Sequence, residues 1–308
     1  MSKLTNRLKR SAASRTLLTD AASAGLMALG FGDKYLVGLN SMYKSYKWVS
    51  KKMTPFYKTY LATQDRNAAA SRKSGATPSR TAWICWLQGI DSAPSVVKQC
   101  YASINKWLCG WNIILITADN YSEYASLPEF IVKKWQQGTI SNTHFSDILR
   151  LELLVEHGGL WLDSTTLLTG EIPSYVLQSD LFVFHNGWMD EEMINMASWF
   201  IYSAQSQNEL LTQTLDLLIE YWRQFRFLKN YFLMHILFRI VSDENIELWE
   251  DVPYYNQIDN HLLMNELQKP FNAHRVNQIK ALTPIHKLTY KLPECNELCT
   301  INHLDEVY

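Results

Sequence analysis

Apolar and polar positions settle into a regular rhythm only from residue 81 onward. Residues 81–87 are apolar and aromatic, residues 94–108 have helical spacing behind a proline at a tolerated first position, and residues 113–117 are mostly β-branched. The pattern predicts a further helix over 128–137, a turn at Gly138, and a helix over 145–157 that Gly158 and Gly159 terminate. A short strand at 160–162 runs directly into Asp163, and another follows at 181–184. Beyond Trp199 the text turns mostly helical, with helices expected over 210–226, 231–241 and 257–267. Strand and helix alternating in this way argue an α/β domain on a mainly parallel sheet.

The N-terminal quarter reads differently. Residues 1–80 hold 15 Lys and Arg against 3 acids and the remainder 14 against 27, so a net charge of −1 conceals a basic start and an acidic body. Up to residue 64, Lys34, Lys44, Lys47, Lys51, Lys52 and Lys58 interleave with Tyr35, Tyr43, Tyr46, Trp48, Phe56, Tyr57 and Tyr60. Two readings stand side by side: a segment suited to an anionic membrane surface, or a helical layer packed on the main domain with a solvated basic face. Nucleic acid is not expected as a partner, because the body is acidic and carries no nucleic-acid motif. Residues 65–80 are small and polar and read as a linker, which divides the chain into a basic helical segment with linker, 1–75, and a main domain, 76–308.

No run approaches the roughly 20 apolar residues of a spanning helix. Residues 3–15 followed by 21–31 only faintly imitate a secretory leader, with Asp20 interrupting it. The five cysteines, Cys85, Cys100, Cys109, Cys295 and Cys299, are scattered without metal-site spacing and read as reduced thiols. A cytoplasmic protein is expected, peripheral on the membrane if the basic segment meets lipid.

The densest chemistry lies in THFSDILRLELLVEHGGLWLDSTTLLTG, residues 143–170. Asp147 and Arg150 stand three apart, on one face of a helix that is otherwise nearly all apolar. Buried charges are costly unless paired or used, so the two form a mutual pair or serve a ligand. Asp163 sits at the carboxyl end of a strand, where ligands of open α/β sheets gather and where an acid can hold a hydrated cation and a diphosphate; taken alone it is more often a turn former. In the first strand, alternation puts Trp83, Cys85 and Leu87 on one face and Ile84, Trp86 and Gln88 on the other. His185, Asn186 and His235 are lesser candidates, since a lone histidine on an apolar helix is usually a satisfied core residue.

The block SDILRLELLVEHGGLWLDSTTLLT resembles one shared by bacterial capsular polysaccharide synthesis proteins, the family 32 glycosyltransferases around yeast mannosyltransferases, and the large clostridial glycosylating toxins. Their pattern is a Ser-Asp-x-x-Arg helix, a Gly-Gly turn and an Asp-x-Asp motif; the capsular group is the nearest, with similarity from WICWLQG at Trp83 to HKLTYK at His286 and the basic N-terminal segment outside it. The resemblance implies a GT-A fold, Rossmann-like, with mainly helical additions at both ends. It implies transfer of a sugar, of the hexosyl type, from a nucleoside diphosphate sugar to a hydroxyl of a glycan or lipid-linked acceptor, with retained anomeric configuration. By the same resemblance Asp147 and Arg150 bind the donor sugar, and Asp163 is the first acid of the motif. Trp86 and Gln88 lie near the nucleotide base, and His286 and Lys287 near the diphosphate. A divalent cation, Mn²⁺ or Mg²⁺, is implied at Asp163 and position 165, but Thr165 replaces the second acid and supplies a hydroxyl in its place. Two alternatives follow: an inert relative that binds nucleotide sugar or glycan within an assembly complex, and a transferase moving a sugar phosphate.

Overall fold

The structure is a computed structural model that describes residues 12, 17–30, 34–63, 78–186 and 192–308. Most of the expected linker, and much of the leader-like start, lie outside the described residues. Two N-terminal helices, α1 (Leu17–Ala28) and α2 (Lys34–Thr63), precede β1 (Thr81–Cys85), α3 (Ser95–Trp107), β2 (Asn112–Ile116) and α4 (Glu129–Gln136). Then come α5 (Asn142–His157), β3 (Gly159–Asp163), β4 (Thr166–Leu168), β5 (Leu181–His185) and β6 (Met196–Ser203). The chain closes with α6 (Glu209–Gln224), α7 (Leu233–Glu244), α8 (Ala273–Leu282) and β7 (Ile285–Lys287).

The central sheet has the order β2-β1-β3-β6-β5, with β1 parallel to β2 and β3, and β6 antiparallel to both its neighbours. Four strands thus share a direction and β6 alone opposes them. β4 and β7 form a separate antiparallel pair in which Thr166 faces Lys287 and Leu167 faces His286.

Each face of the sheet has its own core. Trp83, Trp161, Val183 and Ile201 pack toward α2, α5, α6 and α7, while Ala82, Ile84, Leu160, Leu162, Phe182, Phe200 and Tyr202 pack on the other side with Ile104 of α3. Strands covered on both faces read as continuous apolar runs. That explains why β6, buried at all eight positions, carries no alternation and is not among the expected strands. Two further expectations differ. β1 ends at Cys85, so Trp86 and Gln88 belong to the following turn and not to an alternating strand face, and residues 257–267 form two 3₁₀ turns, Asp259–His261 and Leu263–Glu266, in place of one helix.

The Gly-Gly turn is a steric necessity. Gly158 and Gly159 adopt φ of 65° and 98°, and a Cβ at Gly159 would lie 2.3 Å from the Thr81 carbonyl oxygen. Only glycine lets the end of α5 come this close to β1, and the closeness sets β3 in register with Asp163 opposite Cys85. α2 buries Val49, Met53 and Tyr57 against α6 and α7. Asn245 Nδ2 donates to the Tyr57 hydroxyl at 2.7 Å, and the Tyr60 hydroxyl donates to Asp216 Oδ2 at 2.7 Å. Lys44, Lys47, Lys51, Lys52 and Lys58 remain exposed. One side of α2 is therefore a packed layer and the other a basic surface.

Candidate active site

α5 starts at Ser141, whose hydroxyl accepts from the His144 amide and caps the helix. Because α5 is enclosed, Asp147 and Arg150 are carried into the interior one turn apart, at 7% and 4% exposure. Arg150 Nη2 lies 3.2 Å from Asp147 Oδ1 and 3.3 Å from Asp163 Oδ1, so one guanidinium joins the helix to the end of β3. Its Nη1 donates to the Ser198 carbonyl of β6 at 2.6 Å, and its plane lies over the Trp161 ring at 5.0 Å. Trp161 stands two residues before Asp163, hence on the same strand face, and its indole N–H donates to Asp163 Oδ1 at 3.1 Å.

The β4–β7 pair supplies the other half. The Leu288 amide donates to the Thr165 carbonyl at 2.8 Å, extending the ladder and fixing Lys287 over the turn after β3. Lys287 Nζ donates to Asp163 Oδ2 at 2.8 Å and to Thr165 Oγ1 at 2.6 Å. Burial would raise the Asp163 carboxyl, but Lys287, Arg150 and the hydrogen bonds from Lys287 and Trp161 outweigh it and hold it at about 2. Asp147 behaves oppositely: burial pushes it up, and Arg150 and His144 offset this only in part.

These groups open onto a cleft of about 450 Å³ at the carboxyl ends of β1 and β3. Arg150, Asp163, Thr165, Lys287, Trp86 and Gln88 all line it, with Trp86 meeting Tyr290 edge to face at 5.4 Å on the rim. A larger cleft of about 720 Å³ lies at the opposite end of the sheet, by Leu181 and Ser203, and has none of the motif residues; position at the strand carboxyl ends decides for the smaller one.

Several expected residues fall elsewhere. Asp147 does not line the cleft and stands behind Arg150 as its partner. His286 is fully buried on the face of β7 opposite to Lys287; its Nε2 pairs with Thr169 Oγ1 at 3.1 Å and burial pushes its pKa down to about 4, so it is neutral and turned away from the cleft. His185 and Asn186 belong to the far edge strand and its end, His185 beside the Trp249 and Tyr254 rings. Burial and then Arg150 lower His235 to about 3. Trp161 and Ser198 were not anticipated. The i, i+2 relation of Trp161 to Asp163 is legible in the sequence, whereas the Ser198 carbonyl contact depends on the unrecognised β6.

Mg²⁺ and Ca²⁺-like cations want six or more oxygen ligands, several of them carboxylate or water. Here both oxygens of Asp163 and the Thr165 hydroxyl are engaged by Arg150, Trp161 and Lys287. A dication about 4 Å from an ammonium would be repelled by about 8 kcal/mol at an effective dielectric of about 20. Among the described residues no group of three or more His, Cys, Asp or Glu is placed to hold a metal. With the Lys287 ammonium on both Asp163 and Thr165, the side chains present are a poor donor set for a divalent cation.

A five-stranded mixed sheet covered by helices, with an Asp-centred cleft at its carboxyl edge, makes an α/β fold in keeping with the GT-A expectation. The model of the capsular polysaccharide synthesis proteins matches residues 34–303, and the chain belongs to that family. The match takes in α2, which the resemblance read from the sequence had left outside. No curated protein is similar in sequence. Among solved structures, "PaToxG Glycosyltransferase" is 16% identical with a TM-score of 0.38, covering 68% of this chain and 84% of that one. The structure of a transferase mutant is 13% identical with a TM-score of 0.31, covering 57% of this chain and 75% of that one.

Proposed function

We propose that the chain transfers a sugar from a nucleoside diphosphate sugar to a hydroxyl of a growing glycan or lipid-linked saccharide. One observation carries this reading: Arg150 and Lys287 converge on Asp163 at the mouth of the cleft, 3.3 and 2.8 Å from its two oxygens. Asp163 and Arg150 offer an acceptor and a donor for sugar hydroxyls, held rigid by Asp147, Ser198 and Trp161, and rigid orientation is a main source of rate in bimolecular transfer. Lys287 stands ready for the charge that develops on the departing diphosphate. Trp86 and Tyr290 supply aromatic surface for a base. Product mass after incubation with donor and extracted acceptor tests the reading: a gain of one sugar supports it, a gain of sugar phosphate favours the phosphate-transfer alternative, and donor binding without product favours an inert binding relative. Retention of configuration, carried from the resembled families, is checked by the first anomer seen in an NMR time course.

An anionic membrane surface is proposed as a second partner. α1 and the turn after it are mostly apolar or small yet exposed, with Leu18 at 85% and Leu29 at 73%, and the lysines of α2 form a basic surface beyond them. An exposed apolar helix beside basic residues suits a lipid interface, and a nucleotide-sugar enzyme so placed would work at the cytoplasmic face. Among the described residues no helix is long and apolar enough to cross a membrane. Flotation with phosphatidylserine-containing vesicles should fall on deletion of residues 1–33, which leaves the packed α2 in place, and on Lys51→Glu with Lys52→Glu. Undiminished flotation of both variants contradicts this partner.

A further inference from the structure

We propose that Lys287 takes the place of the divalent cation at the Asp-x-Thr motif, so that this site binds and activates a nucleoside diphosphate sugar without metal. The inference rests on the donor reading of the cleft given above. Its basis is positional: the two motif side chains that would hold the cation, Asp163 and Thr165, both hold the Lys287 ammonium, at 2.8 and 2.6 Å.

Lys287 is not a surface lysine that happens to reach the site. The β4–β7 register sets it opposite Thr166, the Leu288 amide locks the adjacent backbone to the Thr165 carbonyl, and its side chain is only 19% exposed. The hydroxyl at 165 belongs to the same arrangement. A second carboxylate there would suit a dication, whereas a hydroxyl accepts an ammonium proton and leaves the pair Asp163–Lys287 balanced. An ammonium has three donors, and two are used. The third remains for a phosphate oxygen.

In the transfer step the bond between the donor C1 and the β-phosphate oxygen breaks, its electron pair leaving on the diphosphate. The acceptor oxygen forms the new bond to C1, and its proton passes to the departing phosphate oxygen or to water. Lys287 pairs with the added negative charge and keeps its own protons throughout.

The experiment uses the full chain with two separate readouts. Mn²⁺ titration followed by the electron paramagnetic resonance of free Mn²⁺ needs no nucleotide. Wild type is expected to take up no stoichiometric Mn²⁺ at millimolar concentration, while Thr165→Asp with Lys287→Ser acquires one site. Calorimetry with UDP, GDP, CDP, ADP and dTDP in chelator and in Mn²⁺ is expected to show one diphosphate bound equally in both. Lys287→Met, which keeps the length of the stem without the ammonium and serves if the double variant does not fold, is expected to weaken that binding by roughly 10- to 100-fold. One Mn²⁺ bound by wild type and lost in Asp163→Asn, or diphosphate binding that disappears in chelator, overturns the proposal. If no diphosphate binds under any condition, the donor reading fails and the role of Lys287 with it, while the Mn²⁺ titration reports separately whether the motif takes a metal.

Discussion

Lys287 and Asp163, 124 residues apart in the chain, meet at 2.8 Å across the turn that ends β3. The meeting adds a polar tie between the central sheet and the β4–β7 pair, which already share a core through Leu168 and Ile285, at the point where the proposed donor would lose its diphosphate. Removing the ammonium should therefore affect chemistry more than architecture. Lys287→Met is expected to lower kcat by about 10²-fold or more, the scale for one preorganised electrostatic group, and to lose also the part of the Asp163 stability that Lys287 supplies. Steady-state kinetics beside a denaturant titration separates the two.

Arg150 is predicted to matter for stability as well. Arg150→Met leaves Asp147 buried without its cation, and breaking a buried pair costs about 3–5 kcal/mol. Adding Asp147→Asn should restore part of that loss, because no buried charge is then orphaned. Urea unfolding of the single and double variants checks this, and a double variant no more stable than the single one contradicts the pairing.

Gly159→Ala should be among the most damaging conservative changes available. Its Cβ would enter the Thr81 carbonyl at 2.3 Å and the φ of +98° is strained for any side chain, so a loss of about 3 kcal/mol or more is expected. Gly110→Ala, at φ +82° but with open space around it, should cost only about 1–2 kcal/mol. Thermal unfolding of the pair tests whether close approach or backbone conformation dominates.

Asp163 has a folded-state pKa of about 2, below its unfolded value of about 3.9, so the folded state binds fewer protons. Its contribution is fully present above pH about 4 and is lost as pH falls toward 2. The stability gap between wild type and Asp163→Asn should accordingly be constant from pH 7 to pH about 4 and shrink below it.

The sequence made one half of this arrangement readable because its signals are local. Asp147 and Arg150 stand at helical spacing, two glycines stop the helix, and Asp163 closes a strand. What stayed hidden is non-local or has no period. β6 is buried on both faces, so its eight positions carry no alternation and the carbonyl that holds Arg150 could not be foreseen. HKLTYK offered His286 and Lys287 as equals, and only the strand geometry of β7 turns one inward and the other to the cleft. Thr165 looked like a missing metal ligand until its partner 122 residues away was visible.

The most direct test of the account is donor turnover by the purified chain, measured as nucleoside diphosphate release from a panel of nucleotide sugars in the presence of chelator. One donor consumed by wild type, and left intact by Asp163→Asn and Lys287→Met, is the predicted result. Turnover that survives both substitutions, or a wild type that neither binds nor consumes any donor with or without Mn²⁺, contradicts it.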